Sequence, residues 1–201
     1  MTTKRLRRED WLELGLKQLA EEGPTALKLA NICAAAGLTR GSFYHHFLDH
    51  SAFLEAMVHH RHEEETRLLD DMLPPELDPA SAMDTLTDLA LALDYRLELG
   101  LRELARAQKL VARAMAAVDK TRLARMIPLY SARYGIPKSE ARDAALLEYS
   151  TFLGLMLMNP DRSEEDQRRL YDVYMTMQTA RYETNERAKR DEPQPALAYE
   201  D

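Results

Sequence analysis

The stretch Ala34-Ala35-Ala36-Gly37-Leu38-Thr39-Arg40-Gly41-Ser42-Phe43-Tyr44-His45-His46-Phe47 constrains this chain more than any other. It reads as a helix, a tight glycine turn and a very short second helix. Ile32 to Ala36 is small and apolar, which suits a helix packed closely against a neighbour. Gly37 stands where such a helix ends in a left-handed residue, a conformation glycine adopts without steric cost. Leu38 can drop into the core between the two helices, and Thr39 is a good N-cap for the second. Arg40, Gly41 and Ser42 fill its first turn with polar or small side chains that can face a phosphate or a base edge. Phe43 and Phe47, four residues apart, share an inward stripe, which leaves Tyr44 and His45 pointing outward. Two helices joined by a short glycine turn form the unit that lays its second helix in the major groove of DNA.

Such corners also occur in helical proteins that do not touch DNA, so the surrounding charge matters. Lys4-Arg5-Leu6-Arg7-Arg8 carries four positive charges in five residues. Residues 1–50 hold seven Lys/Arg against six Asp/Glu, and residues 51–201 hold twenty against twenty-eight. The chain is acidic as a whole, at −7, yet its acid excess avoids the end that carries the corner. That asymmetry is expected when one end meets a polyanion.

Residues 4–54 resemble the DNA-binding domain of TetR-family transcriptional regulators. The resemblance is carried by Gly23, Ile32, Ala36-Gly37-Leu38-Thr39, Gly41-Ser42-Phe43-Tyr44 and His46-Phe47. It implies a DNA-facing surface of Thr39, Arg40, Gly41, Ser42, Tyr44 and His45. Tyr44 would meet a phosphate through its hydroxyl. Arg40 would either read a guanine edge bidentately or simply contact a phosphate. His46 reads as a packed residue. Three positions depart from the family's habit. Lys28 stands where a capping Ser or Thr is frequent; it can meet a phosphate as a cation but cannot cap the helix in the same way. Cys33 replaces a small Ala. His50 replaces a phosphate-contacting Lys, so operator binding is expected to be weaker, or more sensitive to pH and salt.

A chain of 201 residues with 45% hydrophobic content can bury a substantial core. Long runs of helical period with no alternating strand pattern predict an all-α protein. The expected domains are a three-helix, homeodomain-like helix-turn-helix unit over 1–50 and a helical regulatory and dimerisation unit over 51–190. Residues 191–201, polar and Pro-containing, read as a disordered tail. The charged N-terminus lacks a secretory pattern, no apolar run is long enough to span a membrane, and the single cysteine excludes an intrachain disulfide. The expectation is a soluble cytoplasmic protein. The first helix is expected over about 8–21, with Trp11, Leu12, Leu16 and Leu19 inward, ending at Gly23-Pro24. A bridging helix over about 51–73 is longer than the DNA-binding unit requires and is the natural lever for a signal. The C-terminal part reads as at least five helices, with breaks at Gly100, around Asp119, at Gly135-Ile136-Pro137 and at Asn159-Pro160-Asp161. Ser139 and Ser163 are candidate N-caps.

Between Glu140 and Met158 the second half of the predicted helix leaves almost no polar face. From Glu164 to Glu183, Leu170, Val173, Tyr174 and Met177 form one stripe, with Tyr171, Met175 and Tyr182 beside it. A helix that is apolar all round is buried on more than one side. A second copy of the same pair, in a two-fold four-helix interface, would cover both; packing on the preceding helices is the other possibility. The resemblance also implies dimerisation through the last two helices, and the interface residues expected are Phe152, Met156, Leu170, Tyr174 and Met177. Two reading heads about one DNA turn apart, roughly 34 Å, would read a near-palindrome.

The resemblance further implies a small-molecule effector inside the C-terminal unit. Candidate lining residues are Tyr95, Arg96, Met115, Met126, Tyr130, Tyr149, Phe152 and Met156, since Met and aromatic side chains suit an adaptable apolar pocket. Arg96 could instead pair with Asp94 or Glu98. His59, His60 and His62 beside Glu63, Glu64 and Glu65 read as a charged helix face rather than a metal site, and no metal or cofactor is expected. No phosphate loop, nucleophile elbow or paired catalytic carboxylates are evident. The chain is therefore expected to be a DNA-binding regulator, a repressor released by a ligand, and not an enzyme. Two other readings remain: a DNA-binding regulator governed by a partner protein or by no ligand, and a helical enzyme or binding protein whose corner imitates a reading head.

Overall fold

The computed structural model describes residues 6–158 and 163–191, and among these the chain is all-α: nine α-helices, one short 3-10 turn and no strand. The helices are α1 (Arg8–Glu22), α2 (Leu29–Ala36), α3 (Arg40–Tyr44), α4 (His50–Met72), α5 (Pro79–Leu91), α6 (Tyr95–Ala107), α7 (Lys109–Tyr134), α8 (Lys138–Met158) and α9 (Glu164–Asp191); the 3-10 turn, Pro24–Leu27, lies between α1 and α2. Lys4, Arg5, the expected break at 159–161 and the tail after Asp191 lie outside the described residues.

The first three helices close over an aromatic core. Trp11 and Phe43 are fully buried and meet edge to face, with ring centroids 5.5 Å apart. Phe53 and Phe47 pack on Phe43 at 5.2 and 5.1 Å. Such pairs add roughly 0.5–1.5 kcal/mol each beyond their area burial. The α2–α3 turn is built as the sequence implies. Gly37 takes φ 66° and ψ 29°, the left-handed cap. The Leu38 N–H donates to the Cys33 carbonyl at 3.0 Å and the Gly37 N–H to the Ala34 carbonyl at 3.0 Å, which together satisfy the end of α2. Cys33 is buried, and burial pushes its thiol pKa up, so it acts as a small apolar residue.

The same core runs on into the C-terminal helices. Leu101 and Leu104 of α6 and Val111, Ala114, Met115 and Val118 of α7 belong to one cluster with the residues of α1–α4. Gly100 does not break a helix, as expected from sequence, but lies buried inside α6. A Cβ there would stand 2.8 Å from Leu19 Cγ, so this glycine is the place where α6 comes close to α1. The expected break around Asp119 is also absent: Asp119 lies within α7, where its carboxylate is held by Arg102 and Tyr149. The break at Gly135 is present, with Gly135 left-handed at φ 60°. Ser163 caps α9 by accepting the Asp166 N–H at 3.2 Å, whereas Ser139 falls inside α8, which begins at Lys138. A second cluster joins Met83 of α5, Tyr130 and Tyr134 of α7, Ala141, Ala144 and Ala145 of α8 and Tyr182 of α9.

Candidate nucleic-acid interface and internal cavity

Helix α3 is only five residues long, and its outer surface is the one the sequence singles out. Thr39 caps it by accepting the Ser42 N–H at 3.3 Å. Thr39, Arg40, Gly41, Tyr44 and His45 are exposed and Ser42 is half-exposed, while Phe43 is fully buried. Phe47 lies past the end of α3, but its N–H donates to the Phe43 carbonyl at 3.2 Å, so it still turns inward. A Cβ on Gly41 would meet nothing closer than Thr39 Oγ1 at 3.6 Å. No protein atom therefore demands a glycine there, and its effect is to leave the surface of α3 low. Leu48, which sequence reasoning passed over, is 89% exposed directly after this head. Phe43 and Phe47 fill the inward stripe, and no periodic position marks Leu48.

Lys28 stands at the N-terminus of α2 with its side chain exposed and no side-chain cap bond. His50 opens α4 half-buried, and its Nε2 lies 2.6 Å from the Leu27 carbonyl. A carbonyl oxygen only accepts, so Nε2 carries the hydrogen and donates. This bond pins the start of α4 to the 3-10 turn just before Lys28. It leaves Nδ1 as the ring atom open to another partner, and Nδ1 can donate only from the imidazolium form. The basic tail near this surface is partly engaged: the Arg7 guanidinium lies 3.5 Å from Asp10 Oδ1, and the Arg8 guanidinium sits 5.4 Å from the Phe47 ring centroid.

Helices α4, α5, α7, α8 and α9 enclose a cavity of about 120 Å³. Four of the residues expected in a pocket lie on its wall: Met126, Tyr130, Tyr149 and Phe152. The other four do not. Met115 packs in the core beneath the reading head, and Met156 is buried against Leu91 and Phe152. Tyr95 donates its hydroxyl to the Leu91 carbonyl. Arg96 is exposed at the start of α6, where Asp94 accepts its backbone N–H. Pro128, inside α7 and between wall residues Met126 and Leu129, removes one helical hydrogen bond at the cavity's edge.

Two polar groups on this wall have no signature in the sequence. The first is an ion-pair network. Arg122 of α7 donates to Glu65 of α4 at 3.0 and 2.8 Å, to Glu98 of α6 at 3.2 and 3.2 Å, and to the Tyr149 hydroxyl at 2.9 Å. Arg102 joins Glu98, Asp119 and Tyr149, and the Tyr149 hydroxyl donates to Asp119 at 2.6 Å. Although desolvation opposes it, the neighbouring carboxylates hold the Arg122 guanidinium firmly charged. Hydrogen bonds from Arg102 and Tyr149 outweigh the desolvation of Asp119 and hold its carboxyl below the ordinary range. The second group is Glu148 of α8, buried, which accepts the hydroxyls of Tyr130 and Tyr171. Burial pushes its pKa up to about 7. Apart from Glu98 and Arg102, four residues apart on α6, the partners in both groups are many residues apart in sequence, so no local pattern announces them.

The residues expected at a dimer interface divide. Phe152 and Met156 are buried within their own protomer, because α8 turns them toward Leu91. Leu170 and Tyr174 are half-buried, and Met177 is 68% exposed. The large apolar residues left open on α8 and α9 are Leu146, Leu147, Leu157, Met158, Val173 and Met177. A Cβ on Gly154, between Leu147 and Leu157 in α8, would meet nothing within 4 Å.

On α4, His60 lies 2.8 Å from Glu13 of α1 and 3.7 Å from Glu64, with ligand-type atoms of the three within 4.8 Å of one another. His62 is half-buried, and its Nδ1 has no hydrogen-bond partner. No helix among the described residues is long and apolar enough to cross a membrane.

Residues 12–57 match the model of a family described as bacterial regulatory proteins, tetR family. No curated protein matches the chain in sequence. Several solved structures match its fold. A transcriptional regulator from Rhodococcus sp. Rha1 is 18% identical, with 86% of this chain and 95% of that one aligned and a TM-score of 0.74. E. coli NemR in its reduced form is 21% identical, with 83% and 95% aligned and a TM-score of 0.70. A protein from Saccharomonospora viridis, assigned as a transcriptional regulator and in complex with choline, is 14% identical, with 84% and 95% aligned and a TM-score of 0.73.

Proposed function

We propose that this chain, whose residues 12–57 match the tetR family of bacterial regulatory proteins, is a transcriptional regulator that binds a near-palindromic operator as a homodimer and releases it on binding a small molecule. The observation that carries this is the α3 surface: a capped helix with Phe43 buried and Arg40, Gly41, Tyr44 and His45 turned outward. Lys28 and His50 flank it and would meet phosphate. Arg40 is the candidate reader of a base edge. The role is that of a repressor and involves no catalysis.

The open apolar residues of α8 and α9 support the dimer. A large apolar patch on a folded surface is costly unless a partner covers it, and Gly154 leaves room for a partner helix to approach closely. The cavity supports the effector, as does the choline complex of one protein of the same fold. Leu68, Leu69 and Glu65 of α4 line the cavity, and the other end of α4 is fixed beside the reading head through His50 and Phe53. A ligand that favours one position of α4 would shift the population of reading-head spacings by its difference in affinity for the two states.

The test is fluorescence anisotropy on DNA from upstream of the protein's own gene. Arg40→Ala and Tyr44→Phe are expected to lower affinity for that DNA at least tenfold, with the fold intact by circular dichroism. Equal binding by wild type and both variants would reject this surface as the reader.

A further inference from the structure

We propose that the cavity takes a lipophilic organic cation, such as a quaternary ammonium or a protonated amine, with Glu148 as its counter-ion; this rests on reading the cavity as the effector site. Two of the three arginines on the wall already have carboxylate partners. Arg122 is bonded to Glu65 and Glu98, and Arg125 to Asp70 at 2.7 Å. Arg61, the remaining cation of the wall, lies one helical turn from Glu65 on the half-exposed side of α4. Glu148 is different. It is buried on the cavity wall, its oxygens accept two neutral tyrosine hydroxyls, and among the described residues it forms no ion pair.

Among the groups around Glu148 only Arg133 carries an opposing charge, and it offsets the carboxylate in part. Tyr130 and Arg133 reach it from α7, Tyr171 and Tyr174 from α9, and Thr87 of α5 bonds to the Tyr171 hydroxyl at 3.3 Å. Arg133 acts on it only through space; its guanidinium lies over the Tyr134 ring, 5.5 Å from the centroid. A buried carboxylate served only by neutral donors is a poorly solvated charge, and a cation of matching size relieves that cost while losing its own water. The faces of Tyr130, Tyr171 and Phe152 can add cation–π attraction, and the leucines and methionines of the wall take the apolar part. An anion would meet Glu148 and find Arg122 and Arg125 already bonded to carboxylates, which leaves it only Arg61 on the half-exposed side of α4.

Proton linkage gives an independent signature. Burial raises the Glu148 carboxyl to about 7, so close to neutral pH about half of the molecules hold it protonated. Binding a cation favours the carboxylate: the O–H bond of Glu148 breaks and its proton passes to buffer. The expected release is therefore about half a proton per site near pH 7, and cation affinity should rise with pH through that region.

The experiment is titration calorimetry of the full chain with phenyltrimethylammonium, its neutral isostere tert-butylbenzene, and benzoate, in two buffers of different ionisation enthalpy at pH 7. The expected result is that the cation binds at least tenfold more tightly than either other probe, with proton release, and that Glu148→Gln removes both the preference and the release. The proton count is read on the unaltered protein, so the test stands even if the variant folds poorly. If tert-butylbenzene or benzoate binds as well as the cation, or the cation binds without proton release, the charge assignment is overturned while the cavity remains a binding site. If none of the three binds, the cavity reading falls with it.

Discussion

At the scale of single residues, Gly41 and His50 separate function from stability most cleanly. Gly41 costs α3 helix propensity, and nothing in the protein needs the space it leaves. Gly41→Ala is expected to raise stability by up to about 1 kcal/mol and to weaken operator binding, measured by denaturation and by anisotropy on the same sample. His50 gives its Nε2 hydrogen to the Leu27 carbonyl, so a phosphate could be met through Nδ1 only by the charged ring. His50→Ala removes the bond that holds the start of α4 beside Lys28 and is expected to weaken operator binding in the same anisotropy titration. At this scale the sequence was most legible. Gly37, Thr39 and Phe43 have roles set by local backbone geometry, so their positions can be read directly. Glu148 has a role set by what lies across space, and nothing beside it in the chain reports it.

At the scale of helices, two positions tie the cavity to the reading head. Gly100 lets α6 lie on Leu19 of α1. Gly100→Ala gains helix propensity but drives a methyl into buried Leu19, and the net effect expected is a loss of about 1–3 kcal/mol, read as a lower denaturation midpoint. The glycine looked like a helix break because sequence reading weighs conformational freedom, whereas here the absence of a Cβ is what matters. Arg122 joins α4, α6 and α8 through Glu65, Glu98 and Tyr149. Arg122→Met leaves Glu65 without its partner and Glu98 with Arg102 alone, and is expected to cost about 3–5 kcal/mol. Glu148 gives a signed pH effect. Its carboxyl ionises near 4.5 when unfolded and near 7 when folded. Between these values the unfolded state has released a proton that the folded state still holds, so stability falls as pH rises across that window. Wild type should therefore lose stability relative to Glu148→Gln between about pH 5 and about pH 7, in parallel thermal melts.

At the scale of the whole molecule, the all-α class and the order of helices followed from periodicity and caps, but the assignment of faces did not. The second half of α8 is apolar all round, so sequence could not divide it between core and outside. Folding turns Phe152 and Met156 inward and leaves Leu146, Leu147, Leu157 and Met158 open. The dimer reading now rests on that outer set together with Val173, Met177 and Gly154. Leu157→Glu with Met177→Glu is expected to give a monomer by sedimentation velocity, with helical content unchanged. The central claim is that a two-fold pair of α3 surfaces reads DNA. Its most direct measurement is selection of preferred sequences from a random duplex pool by the purified full chain, repeated with Arg40→Ala. The expected result is enrichment of a near-palindrome with half-sites about one helical turn apart, lost or relaxed within each half-site in the variant. Recovery of no preferred sequence, or of the same sequence with equal strength by the variant, would contradict it.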